Sequence, residues 1–262
     1  MRNIFFTVAA AATLGTFSAA SAADLPARYP NATPPAPVIL PVFSWTGCYL
    51  GGFAGGAWGN DVAAYDRNNL AGQPAPPFDG WSYKLGSSFI GGGTAGCNWQ
   101  PIGTPFVAGV EGEFGYLKLS GSGFDPLDPI GPSNILSSTK IGDWYGMLTG
   151  RLGYVWDRAL FYVKGGAAFV NAQNSVSDVV TGFSASTSNT DATWTLGGGL
   201  EWALDPNWSV KAEYMYVGLD KTLSDCGFLA TSFCYDHNLR GISTTKVGLN
   251  YRFNGAAWLG LR

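Results

Sequence analysis

From Trp45 to Phe253 apolar and polar side chains alternate with a period of two, in segments separated by turn-forming sequence. The alternation is clearest over 207–220, where Trp208, Val210, Ala212, Tyr214 and Tyr216 fall on one face and Ser209, Lys211 and Glu213 on the other. Over 191–204, Trp194, Leu196, Leu200 and Trp202 oppose Thr193, Thr195 and Glu201. Over 105–118, Phe106, Val110, Phe114 and Tyr116 oppose Glu111 and Glu113. Over 140–156, Trp144, Leu148, Leu152, Tyr154 and Trp156 oppose Asp143, Thr149 and Arg151. Successive strand residues point to opposite faces of a sheet, so each segment carries one apolar and one polar side. With 45–60, 86–100, 159–173 and 242–253, the pattern predicts eight strands.

The connections alternate in length. Pro101–Thr104, Asp157-Arg158 and Asp205-Pro206 are short, whereas 61–85, 119–139, 174–190 and 221–241 are long and rich in Gly, Pro, Ser, Asn and Asp. Short turns at one end and long loops at the other are the pattern of outer-membrane barrels. The segments exceed the ~5–6 residues usual in soluble sheets and suit the ~9–11 tilted residues needed to cross a bilayer. Trp45, Trp58, Trp99, Trp144, Trp156, Trp202 and Trp208 gather near segment ends, where membrane–water interfaces fall. These features favour an all-β, eight-stranded, antiparallel, up-and-down transmembrane barrel over a soluble sandwich with the same alternation.

The ends and the composition agree. Arg2, the apolar run from Ile4 to Leu14 and the small residues Ala20-Ser21-Ala22 predict a signal peptide over 1–22. Prolines at 26, 30, 34, 35, 37 and 41 predict an extended periplasmic leader over 23–44, ahead of a barrel over 45–253 and a tail over 254–262. Glycine is abundant (37 residues), aromatics reach 15% and charged residues only 13%, about half the share usual in soluble domains. After the signal no apolar run is long enough for a transmembrane helix. A net charge of −3, or about −4 without Arg2, leaves no basic footprint for nucleic acid.

If the aromatic faces meet lipid, the interior receives Glu111, Glu113, Asp143, Glu201 and Glu213 with Arg151, Lys164, Lys211, Lys246 and Arg252. An eight-stranded barrel is only wide enough to be filled by side chains, so these ten are expected to pair into a polar plug. The Gly91–Gly96 stretch satisfies G-x-G-x-x-G, but strand and hairpin sequence follow it, not a helix. Its glycines are read as space for large neighbours. His237 is the sole histidine and is expected to be a solvated loop residue; no H-E-x-x-H or G-x-S-x-G occurs. No cofactor or metal is called for. Four cysteines remain: Cys226 and Cys234 share the last long loop, and Cys48 and Cys97 fall nearly opposite each other on the lipid side of the first hairpin. Both pairs are disulfide candidates, with reduced Cys48 and Cys97 as the alternative.

Asp24-Leu25-Pro26, Trp45-Thr46-Gly47, Tyr49-Leu50-Gly51-Gly52, Asn98-Trp99-Gln100, Gly150–Tyr154, Tyr162–Gly166 and Lys246–Phe253 together resemble the small outer-membrane β-barrels of alpha-proteobacteria. These are the porin-family surface antigens of the brucella and rhizobium type, distantly similar to the OmpA barrel. The resemblance implies a Gram-negative outer-membrane location and partners among outer-membrane lipid and lipopolysaccharide. It also implies an assembly signal for the barrel-assembly machinery at Lys246, Gly248, Tyr251 and Phe253, shifted inward by the tail. The expected role is a monomeric, non-enzymatic barrel supporting envelope integrity and surface display, with peptidoglycan or a host surface as open partners. A small-solute porin is the alternative, and a membrane hydrolase using His237 a third reading.

Overall fold

The computed structural model describes residues 43–66, 80–125, 134–219, 221–228 and 233–253. The expected signal peptide, the leader up to residue 42 and the tail 254–262 lie outside these residues. Among them all regular structure is strand, and no helix is long and apolar enough to cross a membrane.

Eight strands close a barrel: β1 (Gly47–Gly59), β4 (Ser87–Trp99), β5 (Phe106–Phe124), β6 (Ile135–Trp156), β7 (Ala159–Asp178), β8 (Ser184–Ala203), β9 (Trp208–Gly218) and β12 (Ile242–Phe253). Each pairs antiparallel with its neighbours, and β12 returns to β1, leaving no free edge. Closure satisfies every backbone donor and acceptor without water, the condition for crossing hydrocarbon. Alternation decides which side faces out. Val110, Leu148, Leu152, Val163, Leu196, Val247 and Leu249 form an exposed aliphatic band. Aromatic pairs border it at both ends: Phe106–Tyr154 and Trp208–Tyr251 near the short turns, Phe114–Trp144 and Trp194–Tyr216 toward the other rim.

The expected disulfide of the first hairpin is present. Cys48 stands opposite Cys97 in the β1–β4 ladder, both side chains point outward, and their sulfurs are bonded at 2.04 Å.

Beyond the girdle the chain departs from the expectation of four long loops. β6 is 22 residues long and β7 and β8 are 20 each, so the described residues of 119–139 and 174–190 are mostly strand. The β7–β8 connection is a tight turn. Asp178 caps it by accepting bonds from the Val180 and Thr181 amides and the Thr181 hydroxyl, and Gly182 takes a positive φ of 77°.

The other two connections fold into a second sheet, ordered β10 (Lys221–Phe228), β11 (Phe233–Leu239), β2 (Asp61–Asp66) and β3 (Gly80–Lys84). It continues the barrel wall. β1 and β12 pair from Cys48 opposite Phe253 to Gly59 opposite Ile242, and β2 and β11 resume the same register from Ala63 opposite Asn238 to Asp66 opposite Tyr235. The Asn60 amide donates to Gly241 O (3.1 Å) between the two ladders, where Gly241 adopts a φ of 130° that favours glycine. β2 and β3 likewise resume the β1–β4 register.

This head encloses an apolar layer. Val62, Ala64, Trp81, Tyr83, Leu223, Tyr235 and Leu239 of the second sheet share one core with Leu119, Ile141, Ala172 and Val176 of β5–β7. Tyr83 and Thr139 hydroxyls meet at 2.7 Å across it. Isolated hairpins are marginal in water, so this shared core holds the head in place. Each large apolar side chain fully buried there contributes roughly 1.5–3 kcal/mol.

Candidate functional site: the sealed interior

Inside the membrane-spanning belt the lumen is filled by charge. Glu111 and Glu113 of β5, Arg151 of β6, Lys164 of β7, Glu201 of β8, Lys211 and Glu213 of β9 and Lys246 of β12 point inward and are buried. Four carboxylates (111, 113, 201, 213) face four bases (151, 164, 211, 246), so the formal charge sums to zero. Lys164 Nζ lies 2.6 Å from Glu111 and 2.7 Å from Glu213, and Lys211 Nζ lies 3.1 Å from Glu111 and 3.3 Å from Glu213. Lys246 binds Glu113. Arg151 donates to Glu201 at 2.8 Å, while Ser209 and Asn250 donate to the other Glu201 oxygen at 2.6 and 2.8 Å. The charges are multiply bridged, as burial in low dielectric requires.

Two of the expected members stand elsewhere. Asp143 is on the outer surface, with its side chain 55% exposed and 2.7 Å from Lys140. The register shifts between Ile141 and Tyr145, where Gly142 has a φ of 109°, and this bulge turns Asp143 outward. Arg252 points inward but at the short-turn mouth, donating to Ser44 O (2.7 Å) and Pro206 O (2.6 Å) beneath the rings of Phe43 and Trp45.

Tyrosines unforeseen in the sequence complete the network. Tyr49 donates to Glu111 and receives a bond from Arg151 (3.0 Å); Tyr145 donates to Glu113; Tyr162 donates to Glu213 (2.7 Å) with the Arg151 guanidinium 3.9 Å above its ring. Their signal was parity: Tyr49 alternates with lipid-facing Leu50, Tyr145 shares parity with Arg151, and Tyr162 with Lys164. Gly96, last glycine of the G-x-G-x-x-G stretch, makes room for one of them. A Cβ there would come 2.5 Å from the Tyr49 hydroxyl. The stretch lies in β4, so no helix N-terminus is available to hold a pyrophosphate.

The lumen is closed in layers. At the short-turn mouth Phe43, Trp45 and Arg252 border a cavity of about 10 Å³, room for one water at most. Above lie the charges, then Phe53, Ile90, Leu117, Tyr145 and Met147, and last the head core. Glu111, Glu113 and Glu213 approach closely enough to share a cation, but lysine ammonium groups already bridge them. A metal would have to displace those bridges.

His237 is not a solvated loop residue. It lies in β11 with its side chain fully buried in the head, Nδ1 3.6 Å from Asp225 of β10. Ser224 spends its hydroxyl on Asp236. Burial pushes the imidazole down to about 4 and holds the Asp225 carboxyl above the usual carboxylate range. A lowered histidine pKa means that the unfolded head takes up a proton first. Stability is therefore lost as pH falls from about 6.5 toward 4, by about 1.4 kcal/mol per unit, with protonation of Asp225 offsetting part of it. Protection factors for hydrogen exchange in β10 and β11, corrected for the intrinsic rate at each pH, should fall at pH 5 relative to pH 7.5 while those of β5–β8 hold, and His237→Phe should remove the fall. Equal protection factors in the head at both pH values would refute it.

Cys234 is disulfide-bonded, and the β10–β11 register sets Cys226 opposite it. Of the expected assembly signal, Lys246 is inward and Gly248 makes room beside Lys211, whereas Tyr251 and Phe253 face outward with rings 5.2 Å apart.

A closed antiparallel barrel with an apolar band, two aromatic girdles and a charged, filled interior defines an integral outer-membrane β-barrel protein. The chain belongs to the family described as outer membrane protein beta-barrel domain, whose model matches residues 9–253. It is 33% identical to the 31 kDa outer-membrane immunogenic protein of Brucella melitensis biotype 1, over 90% of this chain and 94% of that protein. It is 29% identical to the 22 kDa outer membrane protein of Rhizobium leguminosarum bv. viciae, over 82% and 81% of the two chains. Among solved structures, the outer membrane protein OprG from Pseudomonas aeruginosa aligns with a TM-score of 0.47 at 11% identity, covering 79% of this chain and 96% of that one. The resemblance to the brucella and rhizobium surface antigens is thus borne out, as are the all-β barrel and the outer-membrane location.

Proposed function

We propose that the protein is a closed, non-enzymatic barrel that strengthens the envelope and displays its head at the cell surface. The filled lumen carries this reading: a solute would have to break ion pairs buried among one another and then cross the apolar head core. The buried His237, whose neighbouring Ser224 is engaged by Asp236, offers no accessible hydrolytic site. Refolded protein in a planar bilayer should give no step conductance at neutral pH. Regular single-channel openings by the unaltered chain would replace this reading with a porin.

A further inference from the structure

We propose that the outer wall of β5–β8, just above the aromatic girdle, binds the phosphorylated sugar headgroup of lipopolysaccharide. The ladder registers stack this wall in rows. Tyr116, Trp144 and Phe169 mark the top of the girdle, and Lys118, Asp143, Asn171 and Thr190 stand immediately above them. The next row, Ser120, Lys140, Gln173 and Ser188, lies in register across four strands, and Ser122, Ser138, Ser175 and Ser186 form the row beyond it.

Ordinary solvation does not call for this arrangement. Outward positions in the two upper rows carry hydroxyls, one amide and one ammonium, with no apolar side chain. An open depression of about 490 Å³ lies on the wall there, lined by Lys140, Gln173 and serines of both rows. Phosphates of an outer-leaflet glycolipid sit where the hydrocarbon ends, which is the level of Lys118 and Lys140, and its sugars extend away from the membrane along the wall. Ammonium groups supply point charges for phosphate, and rows of hydroxyls offer donors and acceptors to sugar hydroxyls. The bulge at Gly142 matters here, because it brings the Asp143 carboxylate 2.7 Å from Lys140 Nζ. Asp143 holds that ammonium in place and opposes an incoming anion.

The site deepens the envelope reading without depending on a closed lumen, so a conducting barrel would leave it untouched. The test measures binding of refolded protein in detergent to intact lipopolysaccharide and to the same material stripped of phosphate with hydrofluoric acid. Lys118→Gln with Lys140→Gln should weaken binding of the intact form at least tenfold. Arg240→Gln, on an exposed side chain elsewhere on the head, should leave it unchanged. Asp143→Asn should strengthen binding several-fold, an effect that loss of a merely structural ion pair would not produce. Unboiled gel migration checks that each variant is folded. Unaltered affinity in the double lysine variant, equal weakening by Arg240→Gln, or equal binding of the dephosphorylated form would overturn the proposal. So would competition by heparin as effective as that by lipopolysaccharide at equal charge, which would indicate a soluble sulfated glycan.

Discussion

Arg151→Ala should destabilise the folded barrel by about 3–5 kcal/mol, the usual cost of removing one partner from a buried ion pair. The guanidinium bonds Glu201 and Tyr49, stacks on Tyr162 and lies 3.8 Å from Glu111. Its loss leaves a carboxylate in the lumen with only Ser209 and Asn250 as donors. Asp143→Ala provides the contrast. Its pair with Lys140 is solvent-exposed, and such pairs contribute about 0–1 kcal/mol. Urea titration in lipid vesicles measures both. Similar small shifts for the two variants would mean that the charges buried within the barrel are not energetically closed to water.

Replacing Cys48 and Cys97 together by alanine should cost about 3–4 kcal/mol. Their bridge spans 49 positions of chain, and on the chain-entropy model a loop of that length loses about 4 kcal/mol of unfolded-state freedom. The sulfurs lie on the lipid side near the short turns, where alanine keeps an apolar surface. Reductant should lower the urea midpoint of the unaltered chain by clearly more than that of the double variant, which keeps the disulfide of Cys234. If the midpoint is the same in all cases, the β1–β4 ladder already imposes the constraint and the bridge adds nothing.

Much of this architecture was legible because the physics of a barrel wall is local. Lipid on one side and a narrow lumen on the other impose strict parity, and the parity of Trp208–Tyr216 or Glu111–Tyr116 is visible residue by residue. Nine of the ten expected interior charges face inward. Asp143 fails because β6 spends four residues against two of β7 between Ile141–Ala172 and Tyr145–Val170, so it lies within the bulge and points outward, while odd positions face inward on both sides of it. That bulge is encoded in the strained backbone of Gly142, which hydrophobic patterning does not register. The head was missed for a different reason. Trp81, Tyr83 and Leu85, and Tyr235, His237 and Leu239, alternate inward as a strand should. These runs are short and sit among polar and glycine-rich sequence, so local propensity favours a loop. Only pairing between segments about 170 positions apart makes them strands. His237 belonged to that hidden alternation, which is why its burial went unforeseen.

The unbroken register from β1–β12 into β2–β11 also imposes an order on assembly. Ala63–Asp66 has its partners in Tyr235–Asn238 only if the last strand already lies against the first, because the two ladders share one alignment. The β2–β11 junction that unites the surface sheet is therefore a product of completed closure, whereas the β2–β3 and β10–β11 ladders lie each within one connection. A barrel stalled with its final strand undocked would lack this part of its outward face. From outside, unfinished insertion would then show the tall β5–β8 wall without the joined sheet beside it.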